Sequence, residues 1–183
     1  RYHSYFDRSC FLTRGRTISA DRCERVIRWA EDGAGGWTTS RHYAVPTTDV
    51  PVHTVPPLLA WFNAYFRNVL HPLLSCQFDR RRGTRFYVHD AFVVRYEANM
   101  GNNFLPLHVD ESTHSVIVAL NDGYDGGGTY FADHDRTLCP KEGEVLCFRG
   151  DALRHGGNVV TKGIRYILAI FLYLDEITIF AAS

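Results

Sequence analysis

Arg165-Tyr166-Ile167-Leu168-Ala169-Ile170-Phe171-Leu172-Tyr173-Leu174 reads as the most hydrophobic strand of the chain, and it is apolar on both faces. Such a strand is expected where helices cover one face of a sheet and a second core fills the other. Alternation places Arg165, Ile167, Ala169 and Phe171 together on one of those faces. Working back along the chain, short strands are expected at 86–97, 105–109, 115–121, 129–132, 144–148 and 158–161, with turns at Asp122-Gly123 and Gly126-Gly127-Gly128. Before residue 85 the period changes to that of helices. Ser19 stands where it can cap a helix over 20–31, with Cys23, Val26, Ile27 and Ala30 on one face and Gly33 to Gly36 ending it. Pro56-Pro57 opens a second helix, in which Leu58, Leu59, Trp61, Phe62, Tyr65, Phe66, Val69 and Leu70 recur at helical spacing up to Pro72. Helices followed by short strands predict an α+β fold, a β-sandwich or jelly roll with helices packed on one sheet. One domain is expected over 1–183, with a helical support region at 1–85 and a jelly-roll core at 86–175.

The 183 residues are 45% hydrophobic and 22% charged, which excludes intrinsic disorder. Lys+Arg and Asp+Glu are both 20, and this balance argues against binding driven by nucleic-acid or membrane phosphates. No apolar run approaches the roughly 18 residues needed to cross a bilayer, and there is no signal-peptide pattern. The chain opens on Arg1, not Met, and so reads as a fragment of a longer protein. The cysteines Cys10, Cys23, Cys76, Cys139 and Cys147 form no C-x-x-C pair, so no structural zinc is expected. An odd count fits a reducing compartment slightly better, whereas a Cys10–Cys23 bridge would fit a lumenal protein. Cytoplasm and endoplasmic reticulum lumen both stay open.

The chemistry is concentrated in a few positions. In Leu107-His108-Val109-Asp110, the imidazole and the carboxylate are two residues apart and share a face of an extended chain. His155 follows 47 residues later, in Arg154-His155-Gly156-Gly157. Two histidines and one carboxylate form the facial ligand set of non-haem Fe(II) sites, with coordination positions left open. Arg165 lies ten residues beyond His155. It either snorkels to water at the strand end or turns into an apolar pocket, where a carboxylate would have to meet it. The other histidines, His3, His42, His53, His71, His89, His114 and His134, have no partner at ligand spacing and read as surface or capped loop residues.

The ordered set His108-x-Asp110, Gly127-Gly128, His155 and Arg165 resembles the iron- and 2-oxoglutarate-dependent dioxygenases, in their prolyl/lysyl hydroxylase branch. The likeness to procollagen lysyl hydroxylase catalytic domains rests on the segments 92–96, 108–113, 119–121, 124–128, 155–157 and 161–168, and covers about residues 92–174, half the chain. It implies a double-stranded β-helix, a distorted jelly roll. It also implies Fe(II) held by His108, Asp110 and His155, 2-oxoglutarate and O2 as co-substrates, ascorbate as an accessory reductant, and Arg165 on the distal carboxylate of 2-oxoglutarate. The expected products are succinate, CO2 and a hydroxylated carbon. Ala119 stands where oxygen-sensing prolyl hydroxylases carry a tyrosine, so Tyr96, Ser115 and Thr129 are the candidates for a second partner of that carboxylate. Phe171 stands where those enzymes have a tryptophan.

The resemblance points to a peptide or protein substrate, with lysyl ahead of prolyl, and the zero net charge disfavours nucleic acid. A free amino acid, small metabolite or nucleobase is the alternative substrate class, and a catalytically silent protein-binding module is the alternative function. Asp90, Glu97, Glu111, Asp133 and Asp135 are the acidic residues available to hold a cationic side chain.

Overall fold

A computed structural model describes residues 1–42, 45–78 and 84–176. The chain opens with a hairpin of β1 (Tyr2–Tyr5) and β2 (Cys10–Thr13), followed by α1 (Ala20–Glu31) and β3 (Asp49–Pro51). Helices α2 (Pro56–Tyr65) and α3 (His71–Phe78) follow, and then β4 (Thr84–Glu97), β5 (Leu105–His108), β6 (His114–Ala119) and β7 (Asp125–Gly126). The remaining strands are β8 (Thr129–Phe131), β9 (Arg136–Leu138), β10 (Val145–Phe148), β11 (His155–Gly157), β12 (Val160–Lys162) and β13 (Ile164–Glu176).

All strand pairings among the described residues are antiparallel. A seven-stranded major sheet runs β1-β2-β10-β6-β13-β4-β3, a four-stranded minor sheet runs β5-β11-β8-β9, and β12 pairs with β7 as a ribbon. The two-faced reading of the last strand explains the layering. Leu168, Ile170 and Leu172 pack with Val26, Leu58, Phe62 and Leu74 of the helices, whereas Ile167 and Ala169 join Phe92, Val94 and Tyr96 on the opposite face. That inner face meets the minor sheet, where Phe131 and Leu138 close a third cluster with Cys10, Leu146 and Phe148. The result is the jelly-roll sandwich expected, with its helices on one sheet.

The first 85 residues are less helical than expected. They supply three strands, with β2 extending one edge of the major sheet alongside β10 and β3 extending the other alongside β4. Strands of only three or four residues, with β2 paired to a strand more than a hundred positions away and β3 to one about 40 positions away, leave little local pattern. The second helix also continues past Pro72. A wider turn over Phe66–Leu70, in which the His71 N–H bonds back to Phe66 O, places the proline at the start of α3. There its missing N–H is not needed. Ser19 occupies the cap position of α1, but its hydroxyl makes no capping bond. Cys10 and Cys23 are free thiols in different cores, on opposite faces of the major sheet, so the bridge that a lumenal protein would have allowed is not formed.

Candidate active site

The register of the minor sheet assembles the histidines. His108 on β5 is the direct partner of His155 on β11, and their ring centroids are 4.5 Å apart. Asp110, just beyond the end of β5, is anchored by its N–H to Gly150 O at 3.0 Å. Its Oδ1 lies 3.2 Å from His108 Nε2 and its Oδ2 3.4 Å from His155 Nε2. One donor atom from each of the three residues falls within 4.8 Å of the others, which is compact enough to surround a single ion.

Backbone carbonyls set the tautomers. His108 Nδ1 is 2.8 Å from Pro106 O and His155 Nδ1 is 2.8 Å from Leu153 O. A carbonyl can only accept, so each Nδ1 carries a proton, which leaves Nε2 as the nitrogen able to ligate a metal. Burial works to raise the Asp110 carboxyl. The hydrogen bond with His108, the nearby His155 and the Ser115 hydroxyl outweigh it and hold the group below the usual carboxylate range. Burial alone dominates at His155 and pulls its imidazole down. At His108 burial pulls the same way but is overcome by Asp110 and the Pro106 carbonyl, so that ring is raised.

The triad opens into a cavity of about 450 Å³ whose far wall carries Arg165, a volume within the range of small-molecule sites. Arg165 does not snorkel to water. It is 2% exposed, its guanidinium lies over the Tyr96 ring at 5.5 Å, and its Nε is buried with no hydrogen-bond partner among the described residues. None of the ion pairs among the described residues involves it. An uncompensated buried cation is costly, and an anionic ligand is its natural complement. Gly127, at φ +69°, makes room for it: a Cβ there would sit 3.1 Å from Arg165 Cδ. Tyr96 and Thr129 are buried and line the same cavity. Burial pushes the Tyr96 phenol up to about 12, so it stays neutral beside the arginine. Ser115 lines the cavity too, but its hydroxyl donates to Asp110 Oδ2 and contacts Ser112 Oγ at 3.2 Å.

Of the acidic candidates, Asp90 and Glu111 line the cavity. Glu97 pairs with Arg95 at 3.5 Å, and Asp135 accepts the Tyr130 hydroxyl on the exposed surface. Neither of them, nor Asp133, contributes to the cavity wall. Two histidines read as incidental, His42 and His89, do line it, and a third, His114, is buried in the helix-side layer. Gly150 was also missed. A Cβ there would collide with Ser115 Oγ and come within 3.1 Å of Asp110 Cβ, so the backbone must be bare for this carboxylate to seat. No local signal marks any of these positions.

No family model matches the chain. It is 30% identical over 165 residues to the Caenorhabditis elegans multifunctional procollagen lysine hydroxylase and glycosyltransferase, an alignment covering 82% of this chain and 22% of that protein. It is likewise 30% identical over 121 residues to mouse prolyl 3-hydroxylase 2, covering 62% of this chain and 17% of the relative. The chain thus spans about a fifth of the length of these homologues. Among solved structures, a Burkholderia pseudomallei oxidoreductase of the 2OG-Fe(II) oxygenase family superposes with a TM-score of 0.71 at 16% identity, over 90% of this chain and 85% of that one. The chain has the 2-oxoglutarate–Fe(II) oxygenase fold. In this oxygenase fold the major sheet carries Arg165, the minor sheet carries both histidines, and the ligand donors point into the space between the sheets.

Proposed function

We propose that the domain is an Fe(II)- and 2-oxoglutarate-dependent hydroxylase of peptidyl side chains, acting on lysyl ahead of prolyl residues. The observation that carries this reading is the pairing of a preoriented His-Asp-His triad with a buried, unpartnered arginine across one cavity. The residues fit Fe(II) and 2-oxoglutarate. Two neutral imidazoles and a carboxylate suit Fe(II), and a planar guanidinium suits the distal carboxylate of 2-oxoglutarate. The homology to lysyl and prolyl hydroxylases supports a peptide substrate.

In this reading His108, Asp110 and His155 hold the metal, and Arg165 anchors the 2-oxoglutarate tail beside Tyr96 and Thr129. Bound Fe(II) with 2-oxoglutarate and O2 supplies an oxidant for an unactivated C–H bond, leaving succinate and CO2. The chain's own contribution is positional. The Pro106 and Leu153 carbonyls keep both Nε2 lone pairs facing the ion. Ser115 and the Gly150 carbonyl hold Asp110 from its side chain and backbone. Phe92, Ile167, Ala169 and Phe171 keep water away from the reacting carbon.

The test is turnover of 2-oxoglutarate to succinate with lysyl and prolyl peptides, scored by mass spectrometry for a gain of one oxygen. Oxygen insertion into lysyl peptides first is the expected result. Oxidation of a free amino acid or metabolite, with no peptide oxidised, would overturn the reading.

A further inference from the structure

The triad and Arg165 leave part of the cavity wall unexplained, and strand β13 shows where it lies. Arg165 pairs with Tyr96 on β4; six residues further on, Phe171 pairs with Asp90 on β4 and with Ser115 on β6. At about 3.3 Å per residue, these two rows are roughly 20 Å apart. The metal ligands belong to the second row, because the Ser115 hydroxyl is bonded to Asp110. Asp90 stands in that same row, two strands and about 10 Å from Ser115, with Phe171 between them. A co-substrate reaching from the triad to Arg165 extends toward the first row. The space over Phe171, walled by Phe92, His42 and Asp90, is therefore left for the side chain to be oxidised.

This wall is held rigidly and is short of positive charge. Arg41 donates from Nη1 to Asp49 Oδ1 and from Nη2 to Asp90 Oδ2, both at 2.5 Å. The Asp49 carboxylate is fully buried and also accepts the Thr47 hydroxyl at 2.6 Å. The same clamp seats His42, whose ring lies 4.7 Å from that of Phe92. One guanidinium, Arg41, faces two carboxylates, with His42 Nε2 3.8 Å from Asp49 Oδ2. Asp49 is sealed away, so the surplus negative charge reaches the cavity at Asp90. Asp90 keeps free acceptor capacity: Oδ2 takes Arg41 and Oδ1 takes the Ala91 N–H at 2.8 Å, while each carboxylate oxygen offers about two acceptor directions. Of the acidic side chains singled out by sequence, only Asp90 and Glu111 reach the cavity, and Glu111 is solvent-exposed.

We propose that Asp90 is a specificity-determining residue that receives the ammonium of a lysyl side chain laid across Phe171, bringing its methylene carbons to the triad. This rests on the peptide-hydroxylase reading and names the group that chooses its substrate. Arg41 is a positioning residue, which keeps Asp90 turned toward the cavity.

The test compares a lysine-containing peptide with its norleucine twin, which has the same chain length without the charge. Binding is measured by calorimetry to protein loaded with Mn(II) and 2-oxoglutarate. The wild-type protein is expected to favour the lysyl peptide by about tenfold or more, the usual scale of a charge-assisted hydrogen bond. Asp90→Asn keeps the shape and the Arg41 contact and should bring the ratio close to one, and Asp90→Glu should restore part of it. A wild-type protein that binds both peptides alike overturns the proposal without any variant needing to fold. A ratio that survives Asp90→Asn, with both affinities falling together, also overturns it, because Asp90 would then only brace the wall. Hydroxylation of prolyl peptides by a protein blind to the lysine charge removes Asp90 but leaves the peptide reading standing; failure of every peptide to bind or turn over removes both.

Discussion

Replacing Arg165 with alanine should separate ligand binding from stability in a way that few buried substitutions do. Arg165 is 2% exposed, its Nε is unpartnered, and no ion pair among the described residues compensates it. Removing a desolvated charge from a charge pair costs about 2–5 kcal/mol in affinity, equivalent to roughly 30- to 5000-fold. The Michaelis constant for 2-oxoglutarate should rise within that range. The metal-free protein should behave differently. Without ligand the arginine is an uncompensated buried cation, so its loss removes a penalty along with its packing. The melting temperature of Arg165→Ala should therefore stay near that of the wild type. The decisive assay is thermal unfolding with Mn(II) present and 2-oxoglutarate titrated in. At a hundred times its dissociation constant, a ligand that binds only the folded state stabilises it by about 2.7 kcal/mol. The wild type should show that upward shift, the alanine variant should lose it, and Arg165→Lys should recover part, since a point charge replaces a fork. An alanine variant whose melting temperature still climbs with 2-oxoglutarate as the wild type's does would refute the anchoring role.

His108→Ala or Asp110→Ala should abolish Mn(II) binding in calorimetry while leaving the circular dichroism spectrum unchanged; retained affinity in either variant contradicts the metal site. Gly150→Ala should weaken metal binding by about tenfold or more through overpacking worth roughly 1–3 kcal/mol, because the new methyl meets Ser115 Oγ and crowds Asp110; an unchanged metal titration would show that the site yields freely. His114 is buried between Phe78 and Phe86, with Nδ1 3.2 Å from the Thr113 hydroxyl, and burial pulls it from 6.5 to about 4. The unfolded chain takes up this proton first, so the stability it contributes is complete above about pH 6.5 and is lost as pH falls toward 4, by about 3 kcal/mol in all. His114→Leu should flatten that acid limb in denaturant titrations, and an identical slope in the variant would assign the loss to other groups.

The parts legible in the sequence are those governed by short-range geometry. A two-residue spacing is enough to bring His108 and Asp110 to one side of an extended segment. The helical periods of 20–31 and of the run after Pro56, and the two-faced apolarity of 165–174, are likewise local and emerge in α1, α2 and β13. The hairpin of β1 and β2 was not legible, because its place is set by Leu12 meeting Leu146 on β10. Nor was the role of His42, a loop histidine with no partner at ligand spacing; it reaches the cavity through the Arg41 clamp to Asp49 and Asp90.

By itself, then, the order of residues determined the ligand types, the period of each main element, and the presence of an arginine that needs either water or an anion. Only tertiary structure decided between those last two. Burying the guanidinium over Tyr96 removed the water and, among the described residues, supplied no carboxylate in its place. Tertiary structure also decided which of five acidic residues face the reaction space. Charge and hydrogen-bonding capacity belong to the residue, but whether they are spent on a neighbour or left for a ligand depends on contacts between strands far apart in the chain. Asp135 is spent on Tyr130, whereas Asp90 keeps a side open to the cavity.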